Sequence, residues 1–340
     1  MLNIFKLLFS ISLITGTFIS ISSDSWLGMW MGLEINLLSI IPLMSNSKNS
    51  LSSEASLKYF ITQTIASAIL LMSVLIMMSE MPIPYVMNNS FSLMILDSSL
   101  LMKMGAAPFH FWFPEVMEGL SWFNSFILLT WQKIAPMVLL MYNVSLINFL
   151  SVVIIFCMLI SGIIGLNQTS FRKIMAYSSI NHIGWMIGSM IFIQTIWTYY
   201  FMIYTMITLN IIVILNYLNV FYINQLFSSM TYNLTLKMFF ILNFLSLGGL
   251  PPFLGFLPKW MTIQTMIQNN FISLALIMII LTLITLFFYI RVCFSSLLIH
   301  TVELNSSLLQ LIQIKKFSML FINLISLTSL IFCTFVFNWL

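Results

Sequence analysis

Apolar runs long enough to cross a bilayer follow one another along almost the whole of this 340-residue sequence, with only short polar clusters between them. A helix that crosses the hydrocarbon core needs about 20 such residues. The runs give eleven ranges, near 2–20, 25–45, 57–80, 90–120, 121–143, 147–168, 172–193, 196–220, 235–268, 271–297 and 317–338. The fourth and ninth are too long for one straight helix, and both carry Gly and Pro in the middle. Charged residues make up 6% of the chain and hydrophobic residues 61%, whereas a soluble domain carries about 25% charged residues. Such a chain cannot cover its own surface with water-compatible groups. The sequence therefore predicts an all-α polytopic membrane protein with eleven transmembrane helices.

Several function classes are excluded at this point. Cys157, Cys293 and Cys333 are scattered inside apolar runs, and no pair has metal-ligand or redox spacing. They read as small core residues, not as an iron–sulfur, zinc or redox site. There is no Gly-rich phosphate loop, and a formal net charge of +4 is too small and dispersed to suggest nucleic acid. The start, MLNIFKLLFSISLITGTF, places one Lys before an apolar run as a signal peptide does. It has no clean small-residue cleavage site and continues past signal length, so it is expected to be retained as the first helix.

Alternate loops between spans lie on opposite sides of a membrane. Lys6, Lys48, Lys58, Arg172, Lys173, Lys237, Arg291, Lys315 and Lys316 all fall on the N-terminal side, while the other side has Asp24 and Glu80 and no Lys or Arg. By the positive-inside rule the N-terminus is expected in the cytoplasm or, in an organelle, the matrix. Eleven spans put the C-terminus opposite.

The remaining basic residues, Lys103, Lys133 and Lys259, lie within spans, and Glu34 lies about ten residues into the second. An ionised group at the bilayer centre costs about 3 kcal/mol on insertion scales. A structural ion pair that fixes helix packing accounts for one such pair. Four groups at similar depth point instead to proton exchange, because desolvation disfavours the charged form of either residue type. Asp97, six residues before Lys103, is a weaker candidate nearer the boundary. His182 lies mid-span in AYSSINHIGWM beside Tyr177, Ser178, Ser179 and Asn181. That cluster fits a hydrated path, or equally hydroxyl and amide groups that bond neighbouring helices. His110 follows the first helix break; His300 is in a basic-side loop and reads as solvated.

Two segments match at a constant offset. GAAPFHFWFPE (105–115) and GLPPFLGFLPK (249–259) share Gly105/Gly249, Pro108/Pro252, Phe109/Phe253 and Pro114/Pro258, with Pro251 added in the second. Each ends on a charged residue, Glu115 or Lys259. Such breaks are tolerated within a span only where protein or water re-satisfies the freed backbone groups. The two segments lie in spans four and nine, which run in opposite directions. A repeated broken helix of inverted topology is a transporter signature. The organisation expected is a first repeat over 1–143, a second over 147–297, and a loop with a last helix over 298–340.

WLGMWMGLEINLLSIIP (26–42), KMGAAPFHFWFPEV (103–116), LLTWQKIAP (128–136), NQTSFRKIMAYSSINHIGWM (167–186) and LGGLPPFLGFLPKW (247–260) resemble the antiporter-like membrane subunits of respiratory complex I, in their animal mitochondrial form. The resemblance covers nearly the whole chain, and residues 298–340 carry little of it. It implies two inverted five-helix repeats, each with a broken helix and a proton half-channel, plus one C-terminal helix. It implies that Glu34 is the buried acid paired with Lys103, Lys133 the connecting lysine and Lys259 the terminal one. His182 and its neighbours would belong to a hydrated axis joining the halves. No cofactor is expected in this chain; FMN, iron–sulfur clusters and ubiquinone would be held by partner subunits. The partners implied are other complex I membrane subunits, including antiporter-like subunit 4 and small subunit 4L, and membrane lipids. The location implied is the mitochondrial inner membrane, N-terminus in the matrix and C-terminus in the intermembrane space. The resemblance also implies three further N-terminal helices in bacterial and some other relatives, and these are expected to be missing here. A stand-alone cation/proton antiporter and a purely structural spacer remain alternatives.

Overall fold

The structure is a computed structural model that describes residues 2–46, 49–80, 89–230 and 234–298. The last expected span (317–338), Cys333, His300 and the basic residues Lys48, Lys315 and Lys316 lie outside the described residues.

Fourteen helices are described: α1 (Leu2–Ser22), α2 (Trp26–Met44), α3 (Ser50–Glu80), α4 (Asn89–Met104), α5 (Trp112–Gly119), α6 (Trp122–Leu129), α7 (Trp131–Met141), α8 (Ile147–Gly165), α9 (Phe171–Phe192), α10 (Gln194–Leu218), α11 (Ile223–Met230), α12 (Leu234–Gly248), α13 (Phe256–Gln268) and α14 (Ile272–Leu298). Seven stretches of helix among the described residues are long and apolar enough to cross a membrane, so the chain is an all-helical polytopic membrane protein. Among the described residues extended pairing is confined to one isolated bridge, Ser170 with Tyr222, where the approaches to α9 and α11 meet.

Three features differ from the sequence expectation. The range 121–143 divides into α6 and α7 at Thr130, one residue before the Trp131-Gln132-Lys133 run. Helix α3 starts at Ser50, not near 57, so Lys58 is within a helix, where it pairs with Glu54 at 3.0 Å and Glu115 at 2.8 Å. The short helix α11 follows α10 where no separate element was expected.

The chain forms two compact units that part within α8, one comprising Met1–Cys157 and the other starting at Met158. In the first, α1 lies along α2 with backbones nearly touching. A Cβ on Gly32 would stand 2.4 Å from the Ser20 nitrogen, and one on Gly16 would stand 2.9 Å from the Asn36 nitrogen. Small residues at such crossings replace the hydrophobic effect as the source of close packing in lipid. Helix α5 meets α3 in the same way, at Gly119. In the second unit, rings of Phe171, Phe240, Phe244, Tyr289 and Phe288 form a continuous chain between α9, α12 and α14. Arg291 donates to the carbonyls of Leu166 and, at 2.8 Å, Gln168, satisfying the chain beyond the end of α8. Helix α9 is buried on all sides from Ile174 to Met190 despite its polar residues. Its hydroxyls, amide and imidazole therefore face protein, not lipid.

Candidate functional site

The two helix breaks end in the same backbone motif. At the end of α4, the Gly105 N–H donates to Met102 O at 3.2 Å and the Ala106 N–H to Leu101 O at 3.0 Å. At the end of α12, the Gly249 N–H donates to Ser246 O at 3.0 Å and the Leu250 N–H to Leu245 O at 3.4 Å. These are the paired bonds of a Schellman termination, which requires a left-handed residue after the helix. Gly105 has φ 74° and Gly249 φ 79°, where a side chain would be strained. Pro108 and the Pro251-Pro252 pair then keep the chain from resuming the helix at once.

Freed carbonyls remain at each break, and they are satisfied differently. In the second unit Lys259, on the first turn of α13, reaches back with Nζ donating to Gly248 O at 2.8 Å and Leu247 O at 3.3 Å. Its stem packs against Gly249, where a Cβ would stand 2.8 Å from Cδ. In the first unit carbonyls at the end of α4 accept from neutral groups: Gln63 Nε2 donates to Lys103 O at 3.3 Å and Trp112 Nε1 to Met102 O at 3.2 Å. Glu115, which occupies the position matching Lys259, turns outward to Lys58. A cation at a helix C-terminus meets the negative end of the helix dipole. So Lys259 has an electrostatic anchor that surrounding burial opposes.

Lys103 is 7% exposed and Lys133 1%. Glu34 acts on Lys103 electrostatically, yet the two form no ion pair within 4.0 Å; the pairs found among the described residues are those of Lys58. One oxygen of Glu34, Oε1, is buried and has no hydrogen-bond partner among the described residues. Lys133 lies with Nζ 5.4 Å from the centroid of the Phe113 ring and beside the Cys157 thiol. That thiol accepts the Ala107 N–H, freed by the break, at 3.2 Å. Around these groups runs a polar chain: Tyr59 Oη donates to Gln132 Oε1 at 3.3 Å, and Gln132 Nε2 to Asn36 Oδ1 at 2.9 Å. It joins α3, α7 and α2. His110 is buried in the break with Nδ1 3.3 Å from Pro108 O.

In the second unit His182 Nδ1 is 2.8 Å from Tyr200 Oη, and its ring is 5.1 Å from that of Tyr204. Asn181 Nδ2 donates to Thr285 Oγ1 at 3.3 Å, while its Oδ1 is buried and has no partner among the described residues. Lys259 Nζ lies 5.8 Å from the Trp185 ring centroid, so α9 presents both His182 and a face toward Lys259. Buried polar atoms left unbonded by protein are satisfied by ordered water where space permits. Each unit thus holds lysines, amides and hydroxyls at a discontinuity in its helices, an arrangement suited to passing protons among fixed groups and water.

The profile of the family described as NADH:quinone oxidoreductase/Mrp antiporter, TM matches residues 23–285. The chain belongs to this family. Among curated relatives, the NADH-ubiquinone oxidoreductase chain 2 of Anopheles gambiae is 53% identical over 294 residues, covering 86% of each chain. That of Locusta migratoria is 50% identical over 298 residues, covering 87% of this chain and 86% of its own. That of Osphranter robustus is 41% identical over 309 residues, covering 89% and 88%. A chain of respiratory complex I from Thermus thermophilus with bound aureothin has the same fold, with TM-score 0.78, 22% identity and coverage of 86% of this chain and 70% of its own. A chain of the Mrp complex from Dietzia sp. has TM-score 0.73 and 15% identity, with coverage of 84% and 59%.

For this member of the NADH:quinone oxidoreductase/Mrp antiporter family, the structure buries Lys103 and Lys133 in one unit, with Glu34 half-buried there, and buries His182 and Lys259 in the other. Sequence reasoning missed Gln63, which bonds the Lys103 carbonyl, and Asn36, Tyr59 and Gln132, which bond one another between helices. It also missed Gly255, where a Cβ would collide with Ser246 O at 1.8 Å. Tyr200 and Tyr204 are four residues apart and so share one helix face, a signal within the sequence. Nothing in the sequence points to Gln63.

Proposed function

We propose that this chain is a proton-translocating membrane-arm subunit of mitochondrial NADH:ubiquinone oxidoreductase, with Glu34, Lys103, Lys133 and Lys259 as its proton-carrying groups and His182 as an auxiliary one. The observation that carries the reading is the anchoring of buried Lys259 on the carbonyl end of a broken membrane helix. Its proton sits between two opposed influences, the helix end that holds the ammonium and the apolar surroundings that reject it. A small change of field then moves the proton. Glu34 supplies such a field to Lys103 across a gap without ion pairing. Redox chemistry belongs to other subunits, which hold the FMN, iron–sulfur clusters and ubiquinone. The relatives' name, NADH-ubiquinone oxidoreductase chain 2, supports the assignment.

The finer reading has eleven spans in two inverted five-helix repeats (1–143 and 147–297) and a last helix within 298–340. The matching terminations at Gly105 and Gly249 support it. In the inner membrane the N-terminus faces the matrix and the C-terminus the intermembrane space, as the distribution of Lys and Arg favours. Its neighbours are antiporter-like subunit 4, small subunit 4L and membrane lipids.

Lys259→Met in the assembled complex tests the reading. Proton pumping per NADH oxidised falls while assembly is retained; normal pumping in an assembled variant refutes the role of Lys259.

A further inference from the structure

A buried carboxyl group with no cation beside it lies in the first unit. Asp97, in the third turn of α4, is fully buried. Its Oδ1 accepts the Asn143 side-chain amide at 2.8 Å, and its Oδ2 is buried with no hydrogen-bond partner among the described residues. No Lys, Arg or His nitrogen among the described residues lies within 4.0 Å of either oxygen. Other ionisable groups lie on the helices packed against α4. On α3, Glu54 and Lys58 pair with one another and with Glu115, Tyr59 bonds Gln132, and Glu80 is the last residue. On α7, Lys133 lies beside Phe113 and Cys157, and the latter is the one thiol contributed by α8. Lys103 is on α4 itself, six residues on, about 9 Å of helix rise away.

A carboxylate in such a setting is strongly disfavoured, and binding a proton removes the charge. Asn143 bonds one oxygen, and the other has no bond among the described residues. We propose that Asp97 is a further proton-carrying group of this unit: Asn143 holds Oδ1, and Oδ2 takes up a proton and releases it as the charge on Lys103 changes. The proton passes between Oδ2 and intervening water, with no covalent intermediate. This rests on the lysine relay proposed above and adds to it a carboxyl group that the breaks and lysines do not include.

Asp97→Asn separates the two roles, since an amide oxygen still accepts from Asn143 but binds no proton at neutral pH. In the assembled complex, the variant is expected to lose one protonated-carboxyl C=O stretch from the infrared difference spectrum recorded on turnover, and to pump fewer protons per NADH oxidised. An unchanged spectrum with normal pumping overturns the proposal. If Lys259→Met lowers pumping in the same preparations while Asp97→Asn does not, Asp97 alone is refuted and the lysine relay stands. If both variants pump normally, both readings fall. Should Asp97→Asn not assemble, the native complex decides. Dicyclohexylcarbodiimide, which adds to protonated carboxyl groups in apolar surroundings, then labels the peptide that contains Asp97; a peptide left unlabelled overturns the proposal.

Discussion

Substituting alanine at the two break glycines separates backbone strain from the positioning of Lys259. Gly105 and Gly249 have nearly the same left-handed φ, 74° and 79°, so alanine at either position costs about 1–2 kcal/mol of strain. What the new methyl meets is different. At Gly105 it stands 3.1 Å from the Phe113 ring, whereas at Gly249 it stands 2.8 Å from Lys259 Cδ and 3.0 Å from Nζ. Carbon atoms in contact prefer a separation of about 3.5 Å, so the lysine must withdraw by about 0.7 Å. That stretches the 2.8 Å bond to Gly248 O past useful hydrogen-bond length and forfeits about 1–3 kcal/mol. Gly249→Ala is thus expected to cost about 2–5 kcal/mol in all, and Gly105→Ala about 1–2 kcal/mol. Thermal inactivation of the purified complex measures the first difference. Proton pumping per NADH oxidised measures the second, with Gly249→Ala losing more than Gly105→Ala. Equal losses of both stability and pumping in the two variants would show that Lys259 is not held by the end of α12.

Gly32→Val forces a branched side chain onto the Ser20 backbone, where even a Cβ would stand at 2.4 Å. It is expected to part α1 from α2 and to abolish accumulation of the assembled complex on native gels, whereas an assembled, active variant would refute the close crossing. Tyr200→Phe removes the partner of His182 Nδ1 and leaves a buried ring nitrogen without its bond, a loss of about 1–3 kcal/mol. Thermal inactivation should shift downward, and an unchanged profile would show that the His182–Tyr200 bond does not contribute.

Much of this organisation was legible in the linear pattern because the bilayer leaves a chain few options. Backbone groups in hydrocarbon must be bonded within the helix, so apolar length alone locates α1, α2, α8, α10 and α14 to within a few residues. The recurrence of Gly and Pro at 105–108 and 249–252 likewise marks where two helices end, since a left-handed glycine and a proline act locally. Helix α9 is the instructive exception in hydropathy. Its Ser, Asn and His residues are tolerated because it is buried from Ile174 to Met190, and burial by other helices is not a local property.

The sequence by itself determined the class of protein, the places where its helices break, and the identity of the ionisable residues that have no place in lipid. Which groups those residues touch was decided only by tertiary structure. The matching breaks conceal different solutions: Lys259 caps the end of α12, while Gln63 and Trp112 cap the end of α4 and Glu115 turns outward to Lys58. Glu34 and Lys103 are in one unit without an ion pair within 4.0 Å. The physical reason is that helix propensity, hydropathy and glycine geometry act over a few residues. Hydrogen bonds such as Gln63 to Lys103 O or Asn143 to Asp97 join residues far apart in the chain and exist only once the helices have packed.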